Sequence, residues 1–165
     1  MTIIIIQARL TSTRLPGKVL IKISGKSIIS RVCKAARDAK SNKVVVAWAH
    51  KFPHLDENDV LGRFREIVLK YKPDVVVRLT SDCPLLRYED VNHAIYNFHR
   101  LKSDYFSNHM DGYDVQVFKP EILWTKGIYD KEHVIADFTT PKLGWSVDTL
   151  ENLLYVAEIL SIRES

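Results

Sequence analysis

The sequence predicts an α/β fold with a mostly parallel central sheet, and three observations carry that prediction. Thr2–Ala8, Lys43–Ala49 and Asp74–Leu79 are short runs dominated by β-branched residues, as strands buried on both faces are. Amphipathic segments alternate with them, the pattern of strands crossed over by helices on both faces of a sheet. The chain has 165 residues, 46% apolar and 27% charged, which suits one domain with its own core.

The elements follow in order. Arg9–Lys18 is a polar loop punctuated by Pro16 and Gly17. Ser27–Lys40 reads as a helix capped by Ser27, with Ile28, Ile29, Val32, Ala35, Ala36 and Ala39 on one side. Asp56–Tyr71 is a helix with a stripe of Val60, Phe64, Val68 and Tyr71, and Pro73 stops it. Tyr88–Leu101 is a helix carrying Val91, Ala94, Ile95 and Phe98. Asp104–Ser107 and Asp114–Phe118 are short strands, and residues 119–138 form two short helices. Gly144–Val147 is a last strand, and Thr149–Leu160 a closing helix with Leu150, Leu153, Leu154 and Ala157 inward. There is no internal repeat, low-complexity tract or linker, so residues 1–165 are expected to form a single domain.

Composition excludes several classes. Cys33 and Cys83 lie far apart with no CxxC, which argues against a disulfide scaffold or a cysteine-rich zinc site and suits a reducing cytoplasm. No apolar run approaches the ~20 residues of a membrane helix, and Met1–Gln7 lacks the basic segment of a signal peptide. The net charge of +4 is uneven: residues 1–43 carry ten Lys/Arg and one acid, Asp38, whereas the remainder carries fourteen Lys/Arg and nineteen Asp/Glu. A basic head and an acidic remainder suit a bound polyanion at one end. Nucleic acid is a poor candidate, because Trp48, Trp124 and Trp145 are dispersed and no basic–aromatic platform repeats.

In parallel sheets, ligands bind beyond the carboxyl ends of the strands. That rule selects the loop after the first strand, the turn at Thr80–Leu86 and the turn at Asp148. In Ala8–Lys18, two guanidiniums, an ammonium, three hydroxyls and a glycine share one loop. Forked Arg contacts, a Lys charge and turn amides together suit a triphosphate. Gly25-Lys26-Ser27 resembles the end of a P-loop, but that motif requires glycine where Leu20 stands, so a Walker-type site is rejected. Asp82, just past a buried strand, either holds Mg²⁺ with substrate phosphates or caps a turn. Asp148 either joins it or caps a helix in a box with Glu151. The two acids together, opposite a cationic loop, favour a metal and a phosphate substrate. Ser103–Asn108 and Asp111–Phe118 interleave polar and aromatic residues, as a sugar-like second substrate would need. His133 is a lone histidine, in a class more often structural than catalytic.

Ala8-Arg-x-x-Ser12-x-Arg14-Leu-Pro-Gly-Lys18 resembles the nucleotide-binding signature of the CMP-sugar synthetases, the cytidylyltransferases. The spore-coat polysaccharide (SpsF-like) branch is the more similar. It shares Glu57-Asn-Asp-Val-Leu-Gly-Arg-Phe, Val77-Arg-Leu-Thr-Ser-Asp-Cys-Pro-Leu, Ser103-Asp-Tyr-Phe-Ser-Asn, Gly112-Tyr-Asp-Val-Gln-Val-Phe, Lys131-Glu-His-Val and Val147-Asp-Thr-Leu-Glu-Asn-Leu. The resemblance implies a three-layer, Rossmann-like nucleotide-diphospho-sugar transferase fold of the GT-A type. It implies transfer of a cytidylyl group from CTP to a sugar acceptor, with Mg²⁺ as cofactor and release of pyrophosphate. By family position, Ala8, Arg9, Ser12, Arg14, Gly17 and Lys18 bind the nucleotide, and Arg14, Lys18 and Asp82 are catalytic. Asp82 and Asp148 hold the metal, and Asn108, Asp114 and His133 lie on the acceptor side. Relatives are often homodimers. The chain departs from the pattern by its shortness, by a compressed Ala49–Asn58 stretch, by a short Asp137–Trp145 stretch, and by Ser81 in place of a usual glycine. A non-catalytic nucleotide- or sugar-binding protein and a GT-A glycosyltransferase are the alternatives on the same fold.

Overall fold

Strand β1 (Thr2–Ala8) carries Ile3–Ile6, all fully buried, and successive side chains enter opposite layers. Ile4 and Ile6 join one core and Ile3 and Ile5 the other, so a single strand supplies both faces of the sheet. The computed structural model describes residues 1–108, 113–125 and 145–164. Among them, the sheet also contains β4 (Lys43–Trp48), β5 (Val75–Thr80), β6 (Tyr105–Ser107) and β7 (Val115–Phe118). Their spatial order is β4-β1-β5-β7-β6. β1 pairs in parallel with β4 and β5, whereas β7 runs antiparallel to both β5 and β6. Every strand except β7 therefore points the same way, and the mostly parallel sheet expected from the sequence is present.

Helices cover both faces. On one side lie α1 (Ile28–Asp38), α3 (Tyr88–Arg100) and α5 (Leu150–Glu164), which bury Ile28, Val32, Val91, Phe98, Val156 and Leu160 against Ile4, Ile6 and Val77. On the other lie α2 (Val60–Tyr71) and α4 (Ile122–Thr125), with Phe64, Ile67 and Leu123 against Ile3, Ile5 and Val76. None of these helices is long and apolar enough to cross a membrane.

Several local expectations need correction. β4 is an edge strand, so its centre is only half buried. Helix α2 begins at Val60 rather than Asp56: the Asp59 carboxylate accepts the Gly62 amide at 2.7 Å, while Asp56 is used one turn earlier to accept the Asn58 amide. Between β1 and α1 the chain inserts a small hairpin, β2 (Lys22–Ile23) with β3 (Lys26–Ser27). Its turn places both Ser24 (φ 49°) and Gly25 (φ 77°) in the left-handed region, as a tight hairpin requires. The P-loop-like Gly25-Lys26-Ser27 is thus a hairpin arm, and Ser27 caps α1 by accepting the Ser30 amide. Residues 145–147 form no strand; their fixed point is the Val147 amide, which donates to the Asp82 carbonyl at 2.9 Å. In α5, Leu150 and Leu154 are exposed rather than inward, and Val156 and Leu160 are the buried pair. Most of residues 119–138, and Gly144, lie outside the described residues.

Candidate active site

The loop after β1 is built by backbone bonds. The Gly17 amide donates to the Leu10 carbonyl at 2.8 Å, and the Lys18 amide to Leu15. Gly17 adopts φ 67°, a conformation in which a Cβ is costly, although the space beside it is open. Ser12 accepts the Leu15 amide through its hydroxyl at 3.3 Å. This folded loop turns Lys18 inward, where its side chain is only 11% exposed.

There, the Lys18 ammonium donates to Asp82 Oδ2 at 2.6 Å and to Asp148 Oδ1 at 2.8 Å. Arg14 Nη2 stands 2.9 Å from the same Asp148 oxygen. Burial alone would lower the lysine's pKa; the charges and hydrogen bonds of Asp82 and Asp148 outweigh it and raise the pKa above its ordinary value. Lys18 is therefore a permanent cation between two carboxylates.

Both aspartates are released from capping duty. The start of α5 is satisfied by Thr149 and Asn152: the Asn152 amide donates to Thr149 Oγ1, and the Thr149 amide to Asn152 Oδ1, each at 3.2 Å. The box of Asp148 with Glu151 that the sequence pattern offers is not the one formed. Asp82 directs its carboxylate at Lys18, while its carbonyl receives Val147. That backbone bond straps together the two segments that carry the acids.

These groups open on a cleft of about 260 Å³ at the carboxyl ends of β1 and β5. Ala8, Arg9, Ser12, Arg14, Lys18, Asp82 and Asp148 line it, so most of the expected site residues converge. Gly17 shapes the loop from behind. Arg9, Arg14, Lys18 and Arg63 outnumber the two lining carboxylates, leaving the cleft positive and suited to a polyanion. Asn58 and Arg63 are additions that the sequence reading did not assign. Asn58 accepts from Arg9 at 2.5 Å, and the buried Arg63 donates to the Glu57 carbonyl at 2.8 Å. The available signal was a long cation on the otherwise apolar face of α2.

Of the residues expected on the acceptor side, Asn108 and Asp114 are not among the described residues lining the cleft. Asn108 spends its amide on the β6–β7 hairpin, donating to the Tyr113 carbonyl and accepting the Val115 amide. Asp114 stands 3.6 Å from Arg78, whose Nε donates to Gln7 at 2.8 Å. His133 lies outside the described residues. Cys83 is buried and its thiol is pushed far up by that burial and by Asp82, so it is no nucleophile.

Among the described residues, no three His, Cys, Asp or Glu side chains gather to hold a metal by themselves. The pair Asp82 and Asp148 is the donor set that Mg²⁺ takes when substrate phosphates and water complete its shell. The ammonium already lodged between them occupies a position suited to a cation, so the residues fit such an ion.

The chain is similar to known proteins over much of its length. Residues 3–54 match the family model described as Cytidylyltransferase. The chain is 28% identical over 164 residues to the 3-deoxy-manno-octulosonate cytidylyltransferase of Marinobacter nauticus, covering 88% of the chain and 62% of that protein. It is 30% identical over 154 residues to an uncharacterised protein of Methanocaldococcus jannaschii, covering 79% of the chain and 63% of that protein. The chain thus spans less than two thirds of the length of these relatives. Among solved structures, a cytidylyltransferase of Leptospira borgpetersenii superposes with a TM-score of 0.66 at 25% identity, covering 74% of the chain and 62% of its own. A CMP:2-keto-3-deoxy-manno-octonic acid synthetase complexed with CTP superposes with a TM-score of 0.76 at 16% identity, covering 98% and 99%. Residues 3–54 thus match the cytidylyltransferase signature, and the chain shares the fold of the CTP-complexed synthetase along nearly its whole length.

Proposed function

We propose that this chain is a cytidylyltransferase that moves a cytidylyl group from CTP to a sugar acceptor and releases pyrophosphate. The observation that carries the reading is the cluster of Lys18, Arg14, Asp82 and Asp148 at the mouth of the positive cleft. The CTP-complexed neighbour and the cytidylyltransferase signature over residues 3–54 favour CTP over other nucleotides. In this reading Arg9, Ser12, Arg14 and Lys18 meet the triphosphate, and Gly17 turns the loop that presents them. Asp82 and Asp148 hold a divalent cation, for which Mg²⁺ is the proposed ion; a structural neighbour from Mycobacterium tuberculosis was solved with manganese.

Transfer at the α-phosphate needs charge neutralisation and an in-line approach more than covalent help from the protein. Arg14 and Lys18 neutralise charge that grows on the departing pyrophosphate, so truncating either lowers the rate more than it weakens ground-state binding. A bound divalent cation supplies Lewis-acid stabilisation of phosphate oxygens. No side chain is assigned as a dedicated base. Asn108, Asp114 and His133 are proposed on the acceptor side, with Asp114 oriented by Arg78. The sugar is proposed to be an acidic or modified one destined for a surface glycan, with the SpsF-like branch as the kin. The single domain, cytoplasmic setting and homodimeric state belong to the same proposal.

A thermal-shift panel with CTP, UTP, ATP and GTP, each with and without Mg²⁺, tests it. A ligand at ~100 times its Kd adds about 2.7 kcal/mol of stability, readily seen as a higher Tm. The expected result is a Mg²⁺-dependent shift with CTP alone, followed by pyrophosphate release once an acceptor is supplied. No shift with any nucleotide overturns the reading, and a shift without turnover over a sugar panel favours a nucleotide-binding protein on the same fold.

A further inference from the structure

Resting on the proposed metal and nucleotide site, we infer that Lys18 is a displaceable internal counter-ion. It holds the place of the divalent cation, so the chain takes up metal well only when an anionic phosphate ligand draws the lysine away. The geometry is specific. One ammonium reaches Asp82 Oδ2 at 2.6 Å and Asp148 Oδ1 at 2.8 Å, so the two oxygens converge on a point already filled by positive charge. Arg14 adds a second positive group to Asp148 at 2.9 Å. A divalent cation entering between the acids would face both cations at contact distance, and like charges so placed repel strongly. Lys18 must therefore withdraw.

It cannot withdraw at no cost. Its side chain is 11% exposed, and a charge in such a place needs a partner. The cleft beside it is lined by Arg9, Ser12, Thr13 and Arg14, the groups that suit phosphate oxygens. A phosphate lodged there offers the ammonium a new partner and leaves Asp82 and Asp148 to the metal. A lysine suits the exchange, being a compact charge on a flexible stem. Arg14 is the more exposed of the two cations, its side chain 63% accessible against 11% for Lys18. Metal and phosphate are thus positively coupled through one side chain, and the coupling is reciprocal.

The test is Mn²⁺ binding to the full chain, read by electron paramagnetic resonance without nucleotide. Wild type is expected to bind Mn²⁺ weakly, Lys18→Gln about tenfold more tightly, and Lys18→Arg as weakly as wild type. Equal Mn²⁺ affinity in wild type and Lys18→Gln overturns the inference. If wild type also retains Mn²⁺ with CTP, the site reading survives that result; if it retains none with CTP, both fall together. Should Lys18→Gln fail to fold, the wild type itself is read by amine labelling and mass spectrometry. Low Mg²⁺ alone is expected to leave modification of Lys18 unchanged, whereas Mg²⁺ raised high enough to fill a weak site speeds it relative to the other lysines; an unchanged rate at high Mg²⁺ overturns the displacement.

Discussion

Two buried cations in this molecule each face aspartate, and they are held very differently. Lys18 sits between Asp82 and Asp148 at the mouth of the cleft, on a loop with no regular structure before Lys18 itself. Arg78 lies mid-strand in β5, its side chain 6% exposed, with Gln7 on the neighbouring strand and Asp114 before β7. The lysine offers a point charge on a flexible stem, whereas the guanidinium is a planar fork locked by the sheet. Lys18 lines the cleft and Arg78 does not. The same pairing therefore serves an exchangeable site in one place and a fixed brace in the other.

The largest expected effect breaks the exchangeable cluster. Asp82→Asn and Asp148→Asn should each lower kcat about 100-fold or more, with Tm changed little, as measured by pyrophosphate release alongside thermal melting. If either variant keeps wild-type turnover, its aspartate has no part in the chemistry. Arg78→Met breaks the brace instead. It removes the bond to Gln7 and the ion pair with Asp114, and urea unfolding should report a loss of about 1–2 kcal/mol, moderated because Asp114 is 30% exposed and keeps its bond from Ser107. CTP affinity should stay near wild type, and a large loss would show that the two clusters are coupled.

Smaller effects sharpen the contrast. Thr149→Ala should cost about 1 kcal/mol by chemical denaturation through lost capping of α5. Asp148→Asn should not add to that cost, since Asp148 is not the cap. The smallest effect belongs to a third ion pair, Arg31 with Glu164, which ties α1 to the end of α5 at 2.6 Å. The hydrogen bond from Arg31 holds the Glu164 carboxyl down at about 2. A lowered carboxyl pKa contributes stability that is complete above its ordinary value of 4.5 and fades as pH falls toward 2. The Tm advantage of wild type over Glu164→Gln should follow that window, and an advantage that persists unchanged at pH 2 would refute the assignment.

Much of the architecture was legible because the signals are local. The isoleucine run of β1, the Ser27 cap and the Pro16-Gly17 turn each act within a few residues, and each is used as read. Competing local signals misled elsewhere. Asp56 and Asp59 are both competent caps, and only the geometry of the turn selects Asp59. Helix α5 has apolar residues on nearly every side, so periodicity could not tell Leu154 from Val156. In the site, the loop and the two aspartates were found because sheet topology names the edge where ligands bind. The ion pairs of Lys18 join residues 18, 82 and 148, a distance along the chain that no spacing rule spans. The place of the buried Arg63 in the wall of the cleft is likewise set by packing of α2 against the sheet rather than by any local pattern.

The bond from the Val147 amide to the Asp82 carbonyl has a kinetic meaning as well. It brings together segments more than sixty positions apart, the kind of late, long-loop closure that slows folding. Local opening of residues 145–148 would carry Asp148 out of the cleft while the sheet stays intact. Hydrogen exchange at Val147 would compare the free energy of this opening with that of the amides of β1, and faster exchange at Val147 would show that the site opens while the sheet stays folded.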